Sequence, residues 1–193
     1  MKKRSHHVAW LWLLALPAMP MPALADNALT FDLKLDIDQD GKTDRVVIMQ
    51  EPGEPADLSI FLGEEQPDPA RHPDVIRKGL TKDRVIDLQS KGKGSLAITS
   101  CFGCGANTST QETLTIVYRQ GRFLVGGYSR DWDWNQQTSN GVKTTVGGCD
   151  INYLTGKATV SKGVENSKPL KGGFKPVALA DWSTDKRPKA CDF

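Results

Sequence analysis

Of 193 residues, 25 are Lys or Arg, 23 are Asp or Glu and four are Cys. That near balance, with no basic stripe, argues against a nucleic-acid partner, which requires a strongly basic face. No apolar run reaches the roughly 20 residues that a membrane-spanning helix needs.

The first residues place Lys2, Lys3 and Arg4 before an apolar stretch from Val8 to about Met19, followed by Ala23-Leu24-Ala25. This order predicts a secretory signal peptide, residues 1–25, cleaved after Ala25. Pro17, Pro20 and Pro22 interrupt the apolar stretch, and no Cys follows it to carry a lipid. Cleavage removes three basic side chains and no acidic ones, leaving 22 against 23 over residues 26–193. The expected product is a single β-rich domain with no membrane span, in the periplasm or outside the cell.

Past the leader, alternating patterns rich in Val, Ile, Thr and aromatics dominate: Thr30–Leu35, Arg45–Gln50, Leu58–Leu62, Val85–Leu88, Leu96–Ser100, Thr113–Arg119, Arg122–Tyr128 and Lys157–Ser161. Period-2 alternation fits a half-buried pleated surface better than a helix face. The expected fold is therefore all-β, an antiparallel meander, sheet or sandwich of about eight strands. Gln120-Gly121 and Thr155-Gly156 are expected to be two-residue hairpin turns. One short helix is expected within Pro67–Lys82, capped by Asp74, with Val75, Ile76 and Leu80 on one face. The tail from Gly163 to Phe193 reads as a long loop, with one further strand at Pro176–Ala180.

The stretch LDIDQDGKTDRVVI, Leu35–Ile48, carries the sharpest chemical signal. Asp36, Asp38, Asp40 and Asp44 offer carboxylates at relative positions 1, 3, 5 and 9. Gly41 permits the bend, and Lys42 can offer its backbone carbonyl. Such a set suits Ca²⁺, which takes six to eight hard oxygen ligands. A helical calcium hand would need Glu at position 12, where Val47 stands on a strand. The stretch instead resembles the D-x-D/N-x-D-G-x-x-D loop of FG-GAP and VCBS-type repeats and, more loosely, thrombospondin type 3 and dockerin loops. The resemblance covers about 14 residues, in a single copy. It implies Asp36, Asp38, Asp40 and Asp44 as side-chain ligands and Lys42 as a carbonyl ligand. The competing reading is an acidic turn at Asp40-Gly41, against which four carboxylates in one loop repel unless a cation joins them.

Cys101, Cys104, Cys149 and Cys191 form an even set in an exported chain and predict disulfides. Cys101–Cys104 with Cys149–Cys191 is the expected pairing, and a crossed arrangement stays open. Thiol–disulfide catalysis is disfavoured because a strand-like segment, not a helix, follows the CxxC. Zinc is disfavoured because Cys149 and Cys191 are isolated.

In Tyr128–Asn135 (YSRDWDWN), a strand puts Trp132 and Trp134 on one face and Asp131 and Asp133 on the other. Core packing is the expected use of the tryptophans, given the large area such rings bury; a binding surface for sugar or protein is the alternative. A glycoside-type hydrolase could draw on Asp131 or Asp133, with a second acid the sequence does not mark. His72 is the only histidine beyond the leader, and GxSxG, HExxH, phosphate-loop and dinucleotide motifs are missing. The layout of aspartate loop, GRFLVGGY strand and INYLTGKA hairpin resembles a group of exported proteins of Gram-negative bacteria, a likeness that implies no activity. The expected role is a calcium-stabilised exported binding module engaging a protein or envelope glycan. The hydrolase and a periplasmic inhibitor or immunity-type protein are the alternatives.

Overall fold

The computed structural model describes residues 28–68, 70–163 and 167–192, so the expected signal peptide lies outside it. Two antiparallel sheets share one hydrophobic core. The smaller runs β1 (Leu29–Leu35), β2 (Asp44–Gln50), β3 (Ala56–Phe61), β4 (Val75–Thr81), in that spatial order. The larger is formed by β5 (Arg84–Ser90), β6 (Ser95–Phe102), β7 (Thr108–Arg119), β8 (Arg122–Thr138), β9 (Gly141–Asn152), β10 (Lys157–Lys162) and β11 (Lys168–Pro169), each beside the next. A last short strand, β12 (Val177–Ala178), pairs with β8 at Leu124 and Val125, before the stretch of β8 where β9 joins it at Gly127.

Alternation along the strands builds the core. Val46 and Ile48 of β2 and Ala56, Leu58 and Ile60 of β3 point inward, and meet Val85, Leu96, Ile98, Leu114, Ile116 and Val125 of the large sheet. Two inward positions of β2 are polar, Asp44 and Gln50, one at each end. A buried polar group is tolerated when its hydrogen bonds are met inside the protein. Gln50 meets them across the sheets: its Oε1 accepts from Val85 N at 2.9 Å, and its Nε2 donates to the carbonyls of Asp83 (3.1 Å) and Glu54 (3.2 Å).

Three local expectations are corrected. Among the described residues of Pro67–Lys82 there is no helix: Val75–Thr81 is β4, paired with β3 through Ile60↔Val75 and Ser59↔Ile76. Its β-branched start and the backbone partners offered by β3 outweigh the weak helical spacing, and Asp74 accepts from Leu62 N in the preceding loop at 2.8 Å. Thr155-Gly156 is not a two-residue turn, because β9 and β10 close on Asn152↔Lys157 and leave four residues between them. Tyr153 is drawn back to the core there, its N–H donating to Gly126 O at 3.0 Å. The tail has its expected strand, β12 within Pro176–Ala180, but the rest is no loose loop: Leu179 and Trp182 are 1 % and 3 % exposed and pack into the core. The Gln120-Gly121 turn is as expected, with both residues at positive φ (52° and 72°) between paired Arg119 and Arg122.

Burial pushes the Tyr153 phenol up from 10.0 to about 12. Between those values the folded chain keeps a proton that the unfolded chain loses, so Tyr153 makes stability fall as pH rises through that window. Tyr153→Phe is expected to flatten that fall in an alkaline denaturation series, and an unchanged slope would contradict the assignment.

Candidate functional site

The aspartate loop is the connection of the β1–β2 hairpin, whose last pair is Leu35 opposite Asp44. Its chain direction is set by two left-handed residues, Gln39 (φ 64°) and Gly41 (φ 87°). It is seated against the β5–β6 turn, where Gly94 lies so close that a Cβ there would stand 2.6 Å from Ile37 O and from Gln39 Nε2. Only glycine lets the two sheets' turns meet at this distance.

Within the loop, carboxylate oxygens of Asp36, Asp38 and Asp40 all lie within 4.8 Å of one another. Backbone N–H groups shape the cluster. Asp36 accepts from Asp40 N (3.1 Å) and Gly41 N (3.0 Å), Asp38 from Asp40 N (3.1 Å) and Asp40 from Lys42 N (2.8 Å). The Lys42 ammonium stands 3.3 Å from Asp40. Asp38 carries the strain: desolvation, and then the charges of Asp44, Asp40 and Asp36, hold its carboxyl above the ordinary value. Asp40 is held below its own, chiefly by the Lys42 backbone N–H.

Asp44 stands apart from those three. It is fully buried, and its two oxygens accept separately from Ile37 N and Gly63 N, each at 2.7 Å. It pins the end of the aspartate loop to the turn after β3. Its carboxylate lies outside the cluster of three, so the four-carboxylate set that the resemblance implies is brought together only at Asp36, Asp38 and Asp40.

Cys101–Cys104 and Cys149–Cys191 are disulfide-bonded, and none of the four is free. The tryptophans do not enter the core, which corrects the expected use. Trp132 is half-buried with its indole laid across Gly147 of β9, where a Cβ would approach within 2.4 Å, and Trp134 is 46 % exposed. They lie past Tyr128, the last residue that β8 gives to the core, while β8 runs on to Thr138. The register Phe102↔Thr110↔Trp132 puts Phe102, 66 % exposed, on the same face. Sequence reasoning missed Phe102, whose only signal was an aromatic at the end of a strand.

On the opposite face, desolvation and the nearby charge of Asp150 raise the Asp131 carboxyl. Asp150 is thus the acid next to Asp131 that the sequence did not mark. Asp133 instead accepts from Ser109 Oγ and from Asn135 Nδ2. A groove of about 360 Å³ lies along Asp131, Asp133, Ser109, Gln111 and Ser161.

A second charged cluster had no sequence signal, because its members are far apart in the chain. Glu112 of β7 is 7 % exposed and pairs with Arg187 of the tail and with Arg130 of β8, whose Nε is 3.5 Å away. Arg130 also donates to Cys191 O at 2.9 Å and lies 3.3 Å from Asp192.

The two-sheet, cystine-braced β architecture is the class this chain defines. Compared with protein-family models, curated proteins and solved structures, the chain matches none. Among the described residues, no helix is long and apolar enough to cross a membrane.

Proposed function

We propose that the chain is an exported binding module, periplasmic or secreted, clipped by calcium and engaging a protein or an envelope glycan. The observation that carries the ion is the convergence of Asp36, Asp38 and Asp40 in a loop wedged between the two sheets. Asp36, Asp38 and Asp40 serve as side-chain ligands, with Lys42 offering its carbonyl and Asp44 holding the loop's end. The aromatic shelf of Phe102, Trp132 and Trp134 is the contact surface, since solvent-facing aromatics gathered on one face are typical of binding patches. The two disulfides support export, because such bonds persist in oxidising compartments.

Extracellular-type calcium modules bind at about 10⁻⁴ to 10⁻³ M. At calcium about a hundredfold above Kd, linkage stabilises by about 2.7 kcal/mol, a rise in Tm of roughly 5–10 °C for a domain of this size. Asp38→Asn keeps the hydrogen bond from Asp40 N and removes the charge. It is expected to abolish the calcium increment and to raise Tm slightly in chelator, where the repulsion it relieves is present. The sign with pH follows from the raised Asp38. Without the ion, the folded chain holds that proton more tightly than the unfolded chain, so Asp38 makes stability fall as pH rises through the carboxylate range. Calcium displaces the proton and opposes that trend. No heat on titration and no shift in melting at about 10–100 mM calcium, a hundredfold above that Kd range, would overturn the ion site.

The hydrolase reading keeps one supporting observation, the raised Asp131 carboxyl beside Asp150 in a groove. Loss of glycan hydrolysis in Asp131→Asn, with glycan binding retained, would favour it over the binding module.

A further inference from the structure

Beneath the tail, a pocket is lined by Thr81, Ser100, Glu112, Tyr128, Trp182 and Thr184, among other residues. About 20 Å³ of it is open to the centre of a water molecule, and one water needs about 10–15 Å³ on that measure. Tyr128 is 2 % exposed, its ring against Trp182 at 5.9 Å between centroids, and its hydroxyl lies within the influence of the Glu112 carboxylate but makes no hydrogen bond of ordinary geometry among the described residues. A phenol sealed away without a partner is costly. Around it stand one carboxylate and three hydroxyl groups, the kind of polar lining that holds internal water. The space is too small for an organic ligand.

We propose that this pocket binds one internal water molecule that accepts a hydrogen bond from the Tyr128 hydroxyl and donates to Glu112. Its second proton goes to one of the hydroxyl oxygens, those of Thr81, Ser100 and Thr184. The water joins β7 and β8 at the point where Glu112 also grips Arg187. It thereby completes the polar seam that seats the tail on the large sheet. Arg130 and Arg187 are met by Glu112, Asp83 and Asp192, so the seam has no surplus positive charge for an anion, and a neutral ligand is the fit.

The test is a high-resolution crystal structure of the mature protein and of Tyr128→Phe, with melting curves for both. The expected result is one ordered water within hydrogen-bonding distance of Tyr128 Oη and Glu112, lost in the variant, whose Tm falls by about 2–4 °C. A dry pocket gives the opposite sign, since Tyr128→Phe then relieves an unsatisfied hydroxyl and Tm rises; that result overturns the proposal. So does a fall in Tm with no ordered water, which would point to a direct bond from Tyr128 to Glu112. An anomalous halide peak in the pocket after a bromide soak overturns it as well.

Discussion

Asp44→Ala is expected to lower the melting temperature by roughly 6–24 °C, and by the same amount with calcium or with chelator. The substitution strands two N–H groups, those of Ile37 and Gly63, that now donate to a fully buried carboxylate at 2.7 Å. Each loss of a charged acceptor costs about 1.5–3 kcal/mol, so about 3–6 kcal/mol is the expected total, and each kcal/mol moves Tm by about 2–4 °C at this size. Asp44→Asn should recover part of the loss, because its single carbonyl oxygen can still serve one of the two N–H groups. The contrast with Asp38→Asn separates the pin from the ion ligand. The pin's effect ignores calcium, and the ligand's effect depends on it. If Asp44→Ala melts like the parent in chelator, the pin is refuted.

Replacing Cys149 and Cys191 together by Ser is expected to cost about 4 kcal/mol, the loop-closure value for a bridge spanning 42 residues. The same estimate for Cys101–Cys104, with a separation of 3, is about half as large. In Tm the double variant should lose roughly 8–16 °C. Its tail should also become the first site of proteolysis, because Cys191 is fully buried and anchors the end of the chain to β9. Glu112–Arg187, Arg77 on the Trp182 carbonyl and the buried Trp182 ring still hold the tail, so it loosens without the sheets unfolding. Equal protection of residues 179–192 in parent and variant would show that the bridge is not what seats the tail.

Alternation alone was enough to place most strands of both sheets, and turn chemistry located the Gln120-Gly121 hairpin. Those signals are local, set by side-chain period and by the φ values a residue tolerates. The first half of β9, GVKTTVGG, escaped because it has few apolar residues; it is a strand because β8 supplies its backbone partners. The β4 segment reads as a helix because its pairing with β3 lies outside its own sequence.

The chemistry divides along the same line. Residue identity and spacing determined a clustered carboxylate loop and an even cysteine set, because those need only neighbours along the chain or a compartment. Only the tertiary structure decided that Asp44 pins a turn, that Trp132 and Trp134 stay outside the core, and that Glu112 meets Arg130 and Arg187. Burial and long-range pairing settle those roles, and both arise only when the two sheets and the tail come together.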